Sequence, residues 1–164
     1  MELKEYLDTI ESKLISNFDI ERDYILNNID YDLFAKFYMR NERYFLTKKA
    51  VIYAMEANEF CLIKYFDSFT EADLHSFTQG LIDSKDTLIN LDDDHMSSII
   101  TGVIVLKDRP LEEIAKAVEK FKYYKSFAFG LKGWVDIRLL LVTMNQKYIV
   151  TNKKGREVQE LYSI

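Results

Sequence analysis

The amino-acid sequence predicts an α+β domain built on a single mixed, largely antiparallel sheet with helices packed on it. Two observations carry this prediction. Residues 18–66 are rich in Tyr, Phe, Ile and Val and are interrupted by short Asn, Asp and Glu clusters, a pattern typical of an N-terminal antiparallel meander. Residues 99–142 then hold two apolar segments separated by an amphipathic one, which predicts one right-handed β-α-β unit with parallel strands.

Length and composition favour one folded unit. At 164 residues the chain has the size of a single domain, so we expect one α+β domain over 1–164. A hydrophobic content of 48% excludes a disordered protein, which could not offset the entropy lost on ordering. With 5 Gly and 1 Pro, the sequence lacks the composition of an interdomain linker.

The first part of the chain is expected to form a helix and then four antiparallel strands. The helix is indicated by apolar residues that fall on one helical face, namely Leu3, Tyr6, Leu7, Ile10, Leu14 and Ile15. The strands are expected near residues 18–25, 32–40, 43–54 and 60–66, joined by tight turns. The third strand has an alternative, because residues 48–56 are also compatible with a helical turn.

The middle of the chain predicts a second helix and a central strand. Thr70 and Asp73 have the spacing of a capping box, which places the start of the helix at Thr70. Residues 83–96 are polar, and we expect them to form a loop. Residues 99–106 are almost wholly apolar, as in a strand that is covered on both faces.

The last third predicts a helix, a hairpin and a short final helix. Asp108-Arg109-Pro110 opens the first of these helices, with Pro110 in the first helical position, where no N–H is needed. Residues 134–142 are predicted as a strand, 146–151 as its hairpin partner, and 152–155 as the turn into the final helix. The helix after Pro110 should bury a stripe formed by Leu111, Ile114, Ala115, Val118 and Phe121.

Cysteine usage and hydropathy favour a cytoplasmic protein without a membrane anchor. Cys61 is the single cysteine, so no intramolecular disulfide can form, as is usual in a reducing compartment. The first residues carry charges at Glu2, Lys4 and Glu5, unlike a secretory signal. The longest apolar run, 139–142, is far shorter than the ~20 residues that cross a bilayer.

Charge is distributed unevenly along the chain. Residues 1–106 hold 10 Lys and Arg against 20 Asp and Glu, whereas residues 107–164 hold 12 against 7. Residues 116–156 alone contain ten basic residues and two acidic ones. Such asymmetry indicates that the basic region binds a polyanion, an acidic partner or the chain's own acidic half.

The candidate interaction residues are the lysines and aromatic side chains of this basic region. They are Lys116, Lys120, Lys122, Tyr123, Tyr124, Lys125, Lys132, Lys153, Lys154 and Arg156. Phe121 and Trp134 are expected to pack in the core. Part of 123–129 should be exposed, or buried only by a partner chain, because its aromatic residues outnumber the core positions of a short connection. We also expect the acidic and basic residues to occupy different faces.

Metal-ligand candidates are confined to one run of polar residues. It comprises Asp92, Asp93, Asp94 and His95, with Asp92, Asp94 and His95 as the best set, because carboxylates attract Mg²⁺ or Mn²⁺ and His favours Mn²⁺. A solvated loop or helix cap is the preferred explanation of the same run, so no metal site is assigned. Cys61 is expected to be a buried, inert residue, not a nucleophile paired with a histidine.

Other chemistry-bearing strings have structural interpretations. Glu56 and Glu59 flank Asn58 and are interpreted as exposed acids at a turn. Asp136-Ile137-Arg138 approximates a nuclease motif, and cross-strand ion pairing explains it equally well. The segment 152–156 could hold a phosphate through its main-chain N–H groups or be an ordinary basic turn. No Gly-rich nucleotide-binding loop is present in the sequence, so no cofactor is expected.

Three short strings resemble an uncharacterised family of small intracellular α+β proteins from archaea and anaerobic bacteria. They are Glu56-Ala57-Asn58-Glu59, Lys125-Ser126-Phe127 with Gly133-Trp134 downstream, and Thr151-Asn152-Lys153-Lys154-Gly155. The resemblance implies a single intracellular α+β domain and transfers no catalytic residue.

The absence of a convergent catalytic set in the sequence favours a non-enzymatic interaction module. The aromatic content and the opposite charges of its two halves predict self-association into a homo-oligomer. Two alternatives stay open. One is a nucleic-acid or polyanion binder that uses 116–156, which the sequence pI of about 5.1 disfavours. The other is a metal-dependent hydrolase or nuclease.

Overall fold

A computed structural model describes residues 1–38, 57–89 and 97–164, and it contains a seven-stranded mixed sheet with helices on both faces. The elements follow in the order α1 (Leu3–Leu14), β1 (Asp19–Leu26), β2 (Ile29–Phe37), β3 (Asn58–Phe66), α2 (Glu71–Leu88), β4 (Ser98–Leu106), α3 (Glu112–Lys120), β5 (Tyr124–Ser126), β6 (Trp134–Thr143), β7 (Ile149–Thr151) and α4 (Gln159–Tyr162). A 3₁₀ segment, Lys154–Val158, precedes α4. None of the helices in these three stretches is long and apolar enough to cross a bilayer.

The strand order β1-β2-β3-β4-β6-β5, with β7 also on β6, confirms the predicted α+β class. β1, β2 and β3 form the antiparallel meander, while β5 and β7 pair antiparallel with β6. β3, β4 and β6 run parallel in the centre. The strand expected at 43–54, and the alternative turn at 48–56, lie outside the described residues.

Two crossover connections, not one, give rise to the parallel strands. The unit β4-α3-β6 is the predicted one, and β3-α2-β4 is a second that the sequence analysis did not anticipate. Its helix is also longer than expected, because residues 83–88 continue α2 and do not form a loop. Ser84 is buried and its hydroxyl donates to the carbonyl of Leu81, so a polar residue here is satisfied within the helix.

Helix boundaries follow local capping. The Thr70 hydroxyl accepts from the Asp73 N–H at 3.2 Å and the Asp73 carboxylate accepts from the Thr70 N–H at 2.8 Å, as the capping box predicts. α3 begins two residues later than expected, at Glu112, with Leu111 as its cap and Pro110 outside the helix. Leu111 is therefore exposed, which corrects its predicted place in the buried stripe.

One face of the sheet is covered by α1 and the C-terminal segment. The Tyr6 hydroxyl donates to the Tyr162 carbonyl at 3.1 Å, and the Tyr162 hydroxyl contacts the Cys61 Sγ at 3.2 Å. Cys61 is fully enclosed between these elements, and burial raises its thiol pKa to about 12. The prediction that Cys61 is buried is confirmed.

The opposite face is covered by α2 and α3. Leu74, Phe77 and Leu81 of α2 pack there with Ile114 and Val118 of α3. The close approach of α2 depends on Gly102 in β4, since a Cβ at that position would overlap the Leu81 side chain. The sheet ends at β1 on one side and at the short strands β5 and β7 on the other, and we call the second side the open edge.

Candidate functional site

The open edge of the sheet is divided between two short strands that leave a gap. β5 pairs with residues 134–136 of β6, and β7 pairs with residues 140–142. The β6 backbone between them is bonded by Asn152 instead of a strand. Its Oδ1 accepts from the Leu139 N–H at 2.9 Å, its Nδ2 donates to the Ile137 carbonyl at 3.0 Å, and its main-chain N–H donates to the Leu139 carbonyl.

Asn152 also fixes the turn that follows β7. Its Oδ1 accepts a second hydrogen bond, from the Gly155 N–H at 2.8 Å. A Cβ at Gly155 would lie 2.9 Å from that oxygen and 3.0 Å from the Leu139 carbonyl oxygen, so a glycine is needed there. Because the Gly155 N–H is already bonded, the main-chain phosphate grip suggested for 152–156 lacks this donor, and the string is primarily a structural turn.

The divided edge borders a groove of about 410 Å³, which we call the basic groove. Its lysines come from the end of α3, from the connection to β5 and from the turn after β7. Four of the ten candidate residues, Lys120, Lys122, Lys153 and Lys154, are thereby brought together. The full lining consists of Glu119, Lys120, Phe121, Lys122, Asp136, Asn152, Lys153, Lys154 and Glu157.

A chain of ion pairs runs from the basic groove into the sheet. The Lys154 ammonium contacts Glu157 at 2.7 Å, the Arg138 guanidinium contacts Glu157 at 2.8 Å, and Arg138 contacts Glu59 at 3.0 Å. The side chains of Arg138 and Glu59 are each only 4% exposed. Glu59 is thus a buried residue of β3, and its interpretation as an exposed turn acid was wrong. The ion-pairing interpretation of Arg138 is confirmed.

The two groove carboxylates next to these pairs have opposite pKa shifts. Burial is the main cause that raises the pKa of Asp136 above its usual range, against the lowering effect of Lys154. Burial also acts to raise the pKa of Glu157, but the hydrogen bonds from Lys154 and Arg138 outweigh it and leave that pKa below its usual range. Glu157 is therefore held as a paired anion, while burial shifts the pKa of the half-buried Asp136 upward.

The hairpin that joins β5 to β6 carries an apolar tip, residues 127–133, which we call the aromatic loop. The Phe127 N–H donates to the Gly133 carbonyl at 3.0 Å, and the Gly130 and Lys132 N–H groups donate to the Phe127 carbonyl. Ala128, Phe129 and Gly130 all have positive φ, at 47°, 56° and 85°. This backbone directs Phe129 fully into solvent and leaves Leu131 70% exposed.

The other aromatic residues of the region are divided between surface and core, and Phe121 and Trp134, which were both expected in the core, are half-buried. Tyr124 is exposed and stacks on Trp134 with ring centroids 6.1 Å apart, while Tyr123 and Phe127 are half-buried against the core. The predicted partial exposure of 123–129 is confirmed. The remaining candidate cations, Lys116, Lys125, Lys132 and Arg156, lie on the surface outside the basic groove.

Acidic residues mark the opposite edge of the sheet. Asp19, Glu21 and Asp23 of β1 are exposed on what we call the acidic edge. Asp23 has φ 51° and forms no register pair with β2, although the register on either side of it is unchanged, so the strand is distorted locally without a bulge. The charges expected on different faces are mixed within the basic groove, where Glu119, Asp136 and Glu157 lie among the lysines.

Neither the metal candidates nor the nucleophile candidates form a site within the described residues. Asp92, Asp93, Asp94 and His95 lie outside the described residues. Within 1–38, 57–89 and 97–164, no three His, Cys, Asp or Glu side chains are grouped as a metal site. His75 is exposed on α2, on the face opposite to Cys61, so these two residues do not form a catalytic pair.

Comparison with known proteins identifies a family without an assigned activity. A family model described as a domain of unknown function, DUF8052, matches residues 2–164. No curated protein and no solved structure matches the chain. Two of the strings that carry the family resemblance, at Glu59 and at 151–155, meet at the ion-pair chain beside the basic groove.

Proposed function

The chain belongs to the family of the domain of unknown function DUF8052, a membership that brings no activity with it, and from the geometry we propose a non-enzymatic interaction module that self-associates. The observation that carries the proposal is the aromatic loop. A fully exposed Phe129 beside a largely exposed Leu131, on a loop fixed by its own hydrogen bonds, is costly to leave in water. A preorganised aromatic anchor is a common centre of a protein interface.

Charge complementarity favours a second copy of the chain as the partner. Lys125 precedes the aromatic loop and Lys132 lies within it, and the acidic edge at β1 offers carboxylates of opposite sign. Contacts between these two edges are heterologous, because each copy uses a different surface for each neighbour. Such pairing steers association and weakens with added salt.

We take a recess of about 360 Å³ at the start of the acidic edge as the docking site for Phe129. It lies between the end of α1 and β1, and its apolar wall includes Ile15, which is largely exposed. The lining consists of Ile15, Asn17, Phe18, Asp19, Lys36, Phe37 and Tyr38. We propose that Phe129 of one copy inserts here in the next copy.

Sedimentation velocity over a concentration series, at low and high salt, tests the proposal. We expect a concentration-dependent oligomer that dissociates as salt is added. The Phe129→Ser variant should weaken association by about thirtyfold in Kd, the effect of losing one interface anchor worth about 2 kcal/mol. A chain that stays monomeric at all concentrations in both salts would refute self-association.

Leu111 provides a matched control, because it is 69% exposed and Leu131 is 70% exposed. Leu131→Ser should weaken association, whereas Leu111→Ser, far from the aromatic loop in sequence, should leave it unchanged. Equal effects of the two variants would show that general surface hydrophobicity drives association.

A mixing experiment tests the head-to-tail arrangement itself. Phe129→Ser removes the anchor and keeps the recess, while Ile15→Lys blocks the recess and keeps the anchor. At a concentration where the unaltered chain is associated, each variant alone should be largely monomeric, and an equimolar mixture should form a dimer through the one intact pair. No complex in the mixture would contradict this arrangement.

A further inference from the structure

We propose that the basic groove binds a small phosphorylated ligand, a function separate from self-association because it uses none of the aromatic-loop residues. Its volume of about 410 Å³ lies within the roughly 300–1,000 Å³ typical of small-molecule sites. The walls come from α3, from the connection to β5, from β6 and from the turn after β7, so the site exists only in the folded chain.

The lysines of the basic groove are not equally engaged. Lys154 is held by Glu157 at 2.7 Å. Among the described residues, no salt bridge involves Lys120, Lys122 or Lys153. These three lysines line the same groove, where a phosphate group can accept charge-assisted hydrogen bonds from their ammonium groups.

The carboxylates of the groove do not cancel this positive charge equally. Glu157 is neutralised by Arg138 and Lys154. Asp136 is half-buried, with an oxygen 2.9 Å from the Ile137 N–H. Glu119 lies at the rim. A carboxylate beside ammonium groups suits a ligand that carries hydroxyl donors as well as phosphate, as sugar phosphates and nucleotides do.

The half-buried Phe121 forms part of the groove wall, and its ring should bind the two ligand types with different affinity. A planar base can pack on an aromatic ring, whereas a hexose cannot stack in the same way. The shared chemistry is a phosphomonoester on a hydroxyl-bearing group, and a comparison of adenosine monophosphate with a hexose monophosphate distinguishes the two sources.

Isothermal calorimetry with these two compounds, inorganic phosphate and sulfate tests the proposal. We expect at least one phosphomonoester to bind more tightly than either inorganic anion. Lys122→Glu and Lys153→Glu should each lower affinity by tenfold or more, since a charge-assisted contact is worth about 1.5–3 kcal/mol. Lys116→Glu is the control, because Lys116 is exposed on the same helix as Lys120 but does not line the groove.

A pH series with sulfate gives a second readout, because sulfate does not titrate in the range used. A bound anion disfavours the charged form of Asp136. The affinity for sulfate should therefore rise as pH falls towards the raised pKa of Asp136. The charged groups that act on Asp136 are Lys154, Glu157 and Arg138, and the other charged residues of the groove are Glu119, Lys120, Lys122 and Lys153. Asp136→Asn should bind sulfate more tightly at neutral pH and lose most of this pH dependence.

The proposal is overturned if no phosphomonoester binds, or if Lys116→Glu and Lys153→Glu reduce affinity equally. Tighter binding of an oligonucleotide than of any monophosphate, with a steep dependence on salt, would replace it with the nucleic-acid alternative. Because Phe129→Ser leaves the basic groove intact, loss of oligomerisation with retained ligand binding separates this site from the proposed self-association.

Discussion

At the scale of single residues, Asn152 substitutes for a missing stretch of edge strand. An amide side chain offers one acceptor and one donor in the spacing that the β6 backbone requires, and Asn152 uses both while capping the next turn. The hydrogen bonds to the sheet therefore account for Asn152, whereas Lys153 and Lys154, which follow it, have no role in this bonding.

Asn152→Ala should lower the free energy of unfolding by about 2–4 kcal/mol, because it leaves buried backbone groups of Leu139, Ile137 and Gly155 without their partner. Urea denaturation measures this loss. Asn145→Ala is the control, since Asn145 makes one exposed hydrogen bond to Asp108, and a change within about 0.5 kcal/mol is expected. Similar losses for the two variants would contradict the role given to Asn152.

At the scale of secondary-structure elements, the β5–β6 hairpin accepts backbone strain to present its tip. A residue other than glycine in the left-handed region costs about 1 kcal/mol, and Ala128 and Phe129 both lie there. Strain of this kind persists where the surrounding hydrogen bonds hold it, and it is frequent at binding surfaces.

Ala128→Gly should raise the free energy of unfolding by up to about 1 kcal/mol, because glycine relieves the left-handed strain. Gly130→Ala should lower it by about 1 kcal/mol through backbone conformation alone, since a Cβ at Gly130 would meet no atom within 4 Å. Thermal unfolding of the two variants checks both signs. Destabilisation by Ala128→Gly would show that the loop is not strained.

At the scale of the whole molecule, the buried ion pair joins parts of the chain that are distant in sequence. Arg138 in β6 reaches Glu59 in β3 across the intervening strand β4, and Glu157 of the C-terminal segment completes the contact. Charges removed from water in this way are expensive to break singly.

Arg138→Met should lower the free energy of unfolding by about 3–5 kcal/mol, since it leaves Glu59 buried without its guanidinium contact. The double variant with Glu59→Leu should lose less than the sum of the two single variants, as a double-mutant cycle by urea denaturation would measure. Arg22→Met is the comparison, because Arg22 pairs with Asp8 and Glu11 near the surface, and a loss below about 1 kcal/mol is expected. Additive losses would argue against coupling.

The sequence predicts those parts of the fold that depend on local signals. The capping box at Thr70 and the apolar strand at 99–106 depend on neighbouring residues, and both are found. The helix of the crossover from β3 to β4 was predicted to start at Thr70, but the parallel pairing was missed and the helix was predicted too short because the polar residues 83–88 resemble a loop. The basic groove was only partly predictable, since lysines from α3 and from the turn after β7 meet through a divided sheet edge that leaves no local pattern. A lone arginine in the apolar segment 135–142 was a signal for the buried pair.

Because Cys61 is enclosed, its reactivity reports how often the fold opens. As the single cysteine, it can react with a thiol reagent only while the layer formed by α1 and the C-terminal segment is detached from the sheet. The rate at which a thiol reagent modifies Cys61 under native conditions therefore measures the frequency of these openings, without an engineered cysteine. Weakening the Tyr162 contact would raise the modification rate of Cys61, whereas a ligand that closes the basic groove next to the C-terminal segment would lower it.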